Sequence, residues 1–159
     1  MKRITNFQVE GIPASQGSMK IMPIRRVPPS GLTVYSVREL LSCVTMTSDN
    51  AKLKEWRKLC EAEATAAMEG EERYEKGPVK VSAIFSFPFL KSHFKSDGVT
   101  LRDDRPFYKE TMPDTDKLQR ALGDEMSKVV FKDDGQIAWW DVQRIYGSTP
   151  GVSAIVYAL

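Results

Sequence analysis

The sequence has 159 residues, of which 42% are hydrophobic and 28% are charged, and its formal net charge is +2. These values are typical of a globular protein that is long enough to bury a core, and they predict one domain over residues 1–159. They exclude a membrane-spanning protein, because no apolar run approaches about 20 residues. A disulfide-rich scaffold is excluded as well, since Cys43 and Cys60 lie far apart and outside any metal-binding spacing.

The first predicted element is a half-buried strand over residues 7–13, where apolar side chains alternate with polar ones. Residues 14–20 contain a glycine and suit either a phosphate contact or a plain connection between strands. Residues 21–42 are basic and broken by prolines, which is compatible with a mobile arm near nucleic acid and equally with a solvated loop. Within this stretch, residues 32–37 are strand-like.

A helix and a strand are predicted next. Thr47 and Ser48 are candidate N-caps for a helix that runs to about Glu69, with an apolar stripe on one side. We interpret the charged side of this helix as solvent-exposed. Apolar residues at alternate positions then predict a strand over residues 79–87.

The segment from Phe89 to Thr111 combines basic side chains with aromatic ones. Such a combination suits phosphate binding and stacking on unpaired bases, although an ordinary long loop has a similar composition. His93 is left out of the candidate site, because a lone histidine in a polar loop is commonly incidental. Asp103 and Asp104 are left out too, since neighbouring arginines favour local ion pairs.

A second helix is predicted by apolar residues at helical spacing, namely Leu118, Leu122, Met126 and Val129. Two acidic pairs flank this helix. Asp114 and Asp116 stand at its start, where Asp114 suits the N-cap, and Asp133 and Asp134 follow it after a short turn. Arg120 lies one turn beyond Asp116 on the same face. Carboxylate oxygens are the ligands that Mg²⁺ prefers, so one interpretation is a metal site. The other interpretation is a capped helix and a turn without a metal.

The C-terminal part predicts two strands, over residues 136–146 and 152–159, with a turn at Gly147–Gly151. In the first of these strands Trp139 and Trp140 point to opposite faces, so one should lie in the core and the other should be exposed. With only two helices among the strands, the sequence predicts an α+β fold, in which two main helices pack on a mixed β-sheet.

The stretch from Asp114 to Ile137 resembles a known signature. It contains Asp114-Thr-Asp116-Lys-Leu118-Gln-Arg120-Ala121-Leu-Gly-Asp124 and then Asp133-Asp134-Gly-Gln136-Ile137. Order, spacing and residue type are similar to the pattern D-x-D-N/K-L-x-K-A-x-x-D-A-L … D-D-x-Q-V of the RusA family of Holliday-junction resolvases. A looser likeness joins Phe7–Pro13 to the first strand and turn of that family. Arg120 stands where the family usually has lysine, which keeps the charge but removes a proton donor, because guanidinium does not deprotonate at working pH.

This resemblance implies a RusA-like endodeoxyribonuclease that uses Mg²⁺, or Mn²⁺ in its place, to cut four-way DNA junctions in recombination and repair. The implied catalytic residues are Asp114, Asp116, Asp134 and Arg120. The implied metal ligands are Asp114, Asp116, Asp133 and Asp134. The expected DNA contacts are Lys20, Lys109, Lys117 and Arg120. A four-way junction is two-fold symmetric, so a homodimer is expected. No signal-peptide core is present, which predicts the cytoplasm of a bacterial or phage-infected cell.

Two other functions stay open. A non-catalytic module that binds branched DNA would keep the fold with a weakened site, because Arg120 replaces lysine and Gly123 weakens the helix by about 1 kcal/mol relative to alanine. The second of these functions is that of a small metal-stabilised protein with no role in nucleic-acid chemistry. The retention of all the acidic residues favours the enzyme over both.

Overall fold

The computed structural model describes residues 1–16, 19–23, 44–48, 52–127 and 129–159. The regular elements are β1 (Lys2–Glu10), β2 (Met19–Pro23), β3 (Val44–Ser48), α1 (Leu53–Ala67), β4 (Val79–Pro88), α2 (Thr115–Met126), β5 (Ile137–Gly147) and β6 (Gly151–Ala158). Short 3₁₀ turns occupy Lys91–His93 and Asp134–Gln136. The predicted strand over residues 32–37, like the rest of the basic stretch beyond Pro23, lies outside the described residues. No helix in the described part is both long enough and apolar enough to cross a membrane.

Four strands form the main sheet in the order β1-β6-β4-β5. The β4–β5 pair is parallel, whereas β1–β6 and β4–β6 are antiparallel. A parallel pair needs a crossover connection, and here the crossover carries α2. The predicted α+β fold with a mixed sheet and two helices is therefore confirmed. All four acidic residues of the candidate site lie on this one crossover.

The core lies between the sheet and the two helices. Alternate residues of β4 are buried from Val79 to Phe87, as the period-2 pattern predicted. The helices cover this face with an apolar stripe each, consisting of Leu53, Trp56, Cys60 and Ala64 on α1 and of Leu118, Ala121, Leu122 and Met126 on α2. Because α2 is fixed along its length by this stripe, the polar residues of its other face have defined positions.

The start of α1 differs from the prediction. Thr47 and Ser48, the expected N-caps, belong to β3, where they pair with Lys20 and Met19 of β2. The helix begins at Leu53, and Lys52 occupies its N-cap position. The strand pairing uses these residues, and tertiary pairing of this kind overrides a local capping preference.

Gly123 allows α2 to lie close to β5. A Cβ atom at this position would lie 3.4 Å from Cζ2 of Trp140 and 3.5 Å from Cδ1 of Ile137. Trp140 packs against the core, whereas Trp139 is 51% exposed, so the prediction of opposite faces is confirmed. Glycine at this position lowers the helix propensity of α2, but it allows α2 to pack closely on β5.

Candidate active site

Asp114 directly precedes α2. Its backbone carbonyl accepts from the N–H of Leu118 at 3.2 Å and starts the helix, as an N-cap residue should. Its carboxylate makes no capping hydrogen bond, contrary to the expectation, and instead pairs with Nζ of Lys117 at 2.9 Å. About half of the Asp114 side chain remains exposed. The cation three residues away thus holds this carboxylate at the surface.

Asp116 and Arg120 follow on the first two turns of α2, and both are exposed. Among the described residues, neither forms an ion pair or a side-chain hydrogen bond. The positive end of the helix dipole stabilises the charge of Asp116. This face of α2 therefore presents a carboxylate and a guanidinium that are available for a ligand.

The strand next to the crossover fixes the backbone that leads into Asp114. Nη1 of Arg144 on β5 donates to the carbonyl of Thr111 at 3.0 Å and to that of Pro113 at 2.6 Å. Upstream, the N–H of Lys109 donates to the carbonyl of Arg144 at 2.9 Å. Sequence reasoning missed Arg144, because its acceptors are backbone carbonyls, which have no sequence signature.

The loop after β1 also reaches the start of α2. The N–H of Gln16 donates to the carbonyl of Lys117 at 3.3 Å. The side-chain oxygen Oε1 of Gln16 is buried and has no hydrogen-bond partner in the described part of the chain. This loop, in which a phosphate contact was one of two interpretations, thus lies beside Asp114. The side chain of Lys20 lies outside the described residues.

The second acidic pair lies in the 3₁₀ turn after α2. Oδ1 of Asp133 accepts from the N–H of Gly135 at 2.8 Å, and the N–H of Asp133 donates to Oε1 of Gln136 at 3.0 Å. Nε2 of Gln136 in turn donates to the carbonyl of Gly77 at 3.0 Å. Asp133 thus caps the turn, whereas the exposed Asp134 carries no such bond among the described residues.

A small surface cavity of about 300 Å³ surrounds this second pair. It is lined by Arg57, Asp124, Ser127, Lys132, Asp133 and Asp134. Nη2 of Arg57 on α1 contacts Oδ2 of Asp124 at 3.0 Å, and its Nε contacts Glu125. The interpretation of the charged side of α1 as merely solvated is thus wrong at Arg57. This guanidinium partly offsets the negative charge beside Asp134.

The environment of Cys60 depends on the same ion pairs. Burial raises the pKa of the Cys60 thiol to about 12, and the negative charge of Glu125 adds to the rise while Arg57 opposes it. The thiol is therefore protonated and unreactive at neutral pH. Cys60 is thus a buried, packed thiol, and Cys43 lies outside the described residues.

The two acidic pairs stand near opposite ends of α2. Asp116 is in its first turn, and the cavity of Asp134 includes Asp124 near its end, eight residues or roughly 12 Å farther along the axis. Across the described ranges, no group of three or more acidic, histidine or cysteine side chains is positioned to hold a metal ion. Within these ranges, the four carboxylates of Asp114, Asp116, Asp133 and Asp134 do not surround a single point. Their assignment as metal ligands stays a prediction.

The donor chemistry at these positions nevertheless suits a hard cation. Asp116 and Asp134 present exposed oxygen donors, and Mg²⁺ is commonly bound by one or two carboxylates together with water and substrate phosphate. In the described part of the chain, the side chains that a nitrogen- or sulfur-preferring metal would use, His93 and Cys60, are both buried. His93 packs at 4.5 Å from the ring of Tyr146, which agrees with its omission from the site.

The basic and aromatic segment before Asp114 divides into buried and exposed parts. Lys109 is buried, with Nζ 2.7 Å from Oγ1 of Thr111 and above the rings of Phe87 and Tyr146. This placement does not favour Lys109 as a DNA contact. By contrast, Phe107 and Tyr108 are 60% and 62% exposed. Nearby, the expected local pairing of acids with arginines is confirmed for Arg102 and Asp104, which lie 2.9 Å apart.

Comparison with protein families identifies a match over most of the chain. The family model described as Endodeoxyribonuclease RusA matches residues 33–157 of the 159-residue chain. The match includes α2, both acidic pairs and Arg144, but it leaves out Phe7–Pro13, so the likeness of that first strand stays a prediction. No curated protein matches the sequence.

Proposed function

Because this chain belongs to the RusA endodeoxyribonuclease family, we propose that it resolves four-way DNA junctions by Mg²⁺-dependent hydrolysis of phosphodiester bonds. The observation that carries the proposal is the family match over the segment that bears Asp114, Asp116, Arg120 and Asp134. Mn²⁺ is expected to replace Mg²⁺, since it accepts the same oxygen donors. The active unit is one domain over residues 1–159, acting in the cytoplasm as a two-fold dimer.

Asp114, Asp116 and Asp134 would hold the metal ion, with Asp133 sharing it or orienting its neighbour. When bound, the ion activates water and stabilises charge on the phosphate that is being cleaved. Lys117 fixes the carboxylate of Asp114, and Arg144 fixes the backbone on which it stands. Asp134 must approach Asp116 for a single site to form, and the bound phosphate and metal would supply the attraction for that approach.

Arg120 would orient the phosphate. Its guanidinium is exposed one turn from Asp116, and a positive charge there offsets the repulsion between the carboxylates and DNA. Lys117 provides a second cation on the same turn. Lys20 and Lys117 remain proposed DNA contacts, and the exposed rings of Phe107 and Tyr108 suit stacking on bases at the junction.

A labelled four-way junction, incubated with the protein with and without Mg²⁺, tests the proposal. Paired symmetric cuts that require the metal, with linear duplex left intact, are the expected result. Binding of the junction without cuts in Mg²⁺ or Mn²⁺ would favour the non-catalytic branched-DNA module. The separation of the two acidic pairs along α2 is the observation that favours this second candidate.

Arg120→Lys should retain most of the cleavage rate, while Arg120→Ala should lose about a hundredfold, if a point charge beside the phosphate is what matters. Single-turnover rates on the junction across a range of pH measure this. A faster Arg120→Lys enzyme with a new basic limb in its pH–rate profile would instead show that proton donation limits the reaction. Full activity of Arg120→Ala would contradict both roles.

Arg144→Met should lower the cleavage rate by roughly tenfold to a hundredfold while junction affinity is kept. The two carbonyls of Thr111 and Pro113 lose their charged donor, so Asp114 loses its fixed position, and small displacements of a catalytic group are costly. Gln143→Met, on the exposed neighbouring position of β5, is the matched control and should cut normally. Equal losses in both variants would mean that β5 itself is disturbed.

A further inference from the structure

Lys109 is the one buried lysine or arginine in the part of the chain that the structure describes. Lysine is rarely buried unless its charge has a partner. No carboxylate of the described residues forms an ion pair with this side chain. Removing an ammonium group from water is costly, and a buried charge is weak evidence for stability. Stability alone therefore does not account for a buried lysine at this position.

Two aromatic rings hold the ammonium group of Lys109. Phe87 of β4 and Tyr146 of β5 are directly paired in the parallel register, and both are buried, so their side chains stand side by side. Nζ of Lys109 lies 5.2 Å from the centre of the Phe87 ring and 5.3 Å from the centre of the Tyr146 ring. A cation within about 6 Å of a ring face is attracted by the charge distribution of the ring. The ammonium group thus has a defined position.

The backbone of Lys109 is fixed by the edge of the same sheet. Its N–H donates to the carbonyl of Arg144 at 2.9 Å, and the N–H of Tyr146 donates to the carbonyl of Phe107 at 3.0 Å. The segment over residues 107–109 thus pairs with β5 as a short additional strand. Because both the backbone and the ammonium group are fixed, Lys109 can hold a third group in place.

That third group is Thr111, which leads into the candidate site. Nζ of Lys109 donates to Oγ1 of Thr111 at 2.7 Å, whereas Nη1 of Arg144 donates to the carbonyl of the same threonine at 3.0 Å. Two separate cations therefore hold Thr111, one through its side chain and one through its backbone. Arg144 also binds the carbonyl of Pro113, which directly precedes Asp114.

We propose that Lys109 is a positioning residue of this nuclease, which fixes Thr111 and thereby the segment that carries Asp114. The inference rests on the proposed function and adds a residue that touches neither metal nor phosphate. A phosphate contact would need an exposed ammonium group, and that of Lys109 is enclosed by aromatic rings. A methionine of similar length would fill the same space, but it has no N–H group to donate to the threonine hydroxyl.

Lys109→Met and Thr111→Val each remove one partner of this contact. Each variant should cut the junction about tenfold more slowly in single turnover, because small displacements of Asp114 are costly. Thr111 is exposed, so its variant tests the contact without disturbing the core. The double variant should be no slower than the slower single variant, since both residues act through one contact. Lys54→Met, at an exposed position of α1, is the matched control and should cut normally.

The salt dependence of junction binding distinguishes this role from a DNA contact. A lysine that neutralises one phosphate contributes about 0.9 to the slope of log affinity against log salt concentration. Lys109→Met should keep both the affinity and the slope of the wild type. A smaller slope in this variant would overturn the inference, because it would show that the ammonium group binds phosphate.

A spin label at Met112 measures the fixed position without DNA or metal. Met112 is 76% exposed and directly follows Thr111. Met112→Cys in a Cys43→Ser background offers one accessible thiol of the known positions, since Cys60 is buried. Lys109→Met and Thr111→Val should each narrow the spectrum of the label, while the control variant should not.

The spin-label result also separates this inference from the proposed function. An unchanged spectrum in Lys109→Met would overturn the positioning role, even in a protein that cuts junctions. A protein that never cuts junctions would contradict the proposed function, whereas a narrowed spectrum in Lys109→Met would still support the role of Lys109 in fixing the segment before Asp114.

Discussion

Asp114→Asn, Asp116→Asn and Asp134→Asn are each expected to reduce junction cleavage by roughly a thousandfold or more, because a metal ion contributes several kcal/mol to phosphate hydrolysis. Junction affinity should stay equal or increase, since one negative charge beside the DNA is removed. Cleavage rates at saturating protein, together with binding measured in Ca²⁺ or without metal, separate the two effects.

Asp103→Asn is the matched control for this series. It makes the same change at an exposed aspartate of the preceding loop, and both its cutting and its binding should resemble those of the wild type. A variant of the series that cuts at the wild-type rate would remove that residue from the site. Loss in Asp114→Asn and Asp116→Asn with full activity in Asp134→Asn would mean that the site forms at the start of α2 alone.

Gly151→Ala is expected to destabilise the fold by about 3 kcal/mol. A Cβ atom at this position would lie 2.2 Å from the carbonyl oxygen of Val9 and 3.5 Å from Cα of Glu10. Backbone atoms cannot rotate away as a flexible side chain does, so β1 and β6 would have to separate where Glu10 pairs with Gly151. Urea denaturation followed by circular dichroism measures the loss as a lower midpoint.

Gly123→Ala is the comparison for that change. The added methyl would meet Trp140 at 3.4 Å, and the gain of about 1 kcal/mol in helix propensity opposes the tighter contact. Its stability should therefore lie within about 1 kcal/mol of the wild type. If Gly151→Ala were equally mild, the close approach of β1 to β6 would not be rigid.

Sequence patterns predicted the elements whose side chains face the core. The alternation from Val79 to Phe87 and the helical spacing of Leu118, Leu122 and Met126 arise from burial on one face, and each matches an element of the structure. The N-cap prediction at Thr47 and Ser48 failed because both residues pair with β2, so the helix begins only after Lys52. Strand pairing between residues so far apart in the chain has no local sequence signal.

The candidate site was predictable one element at a time. Asp116 and Arg120 are four residues apart, so they lie on the same face of a helix, and this relation can be read from the sequence alone. Relations between elements had no such signal: Arg57 reaches Asp124 from another helix, and Arg144 binds carbonyls of a distant loop. For the same reason, the separation of Asp134 from Asp116 along α2 followed only from the packed structure.

The pairing of β1 with β6 also determines the order in which the molecule can fold. β4, α2, β5 and β6 are contiguous in the chain and can associate as soon as they are made, whereas the partner of β1 begins only at Gly151. Contacts between residues so far apart in sequence form slowly, because a large loop must close first. During synthesis on the ribosome, β1 therefore waits without its partner β6 until that strand emerges. Overexpression at high temperature should consequently favour aggregation of nascent chains through this strand.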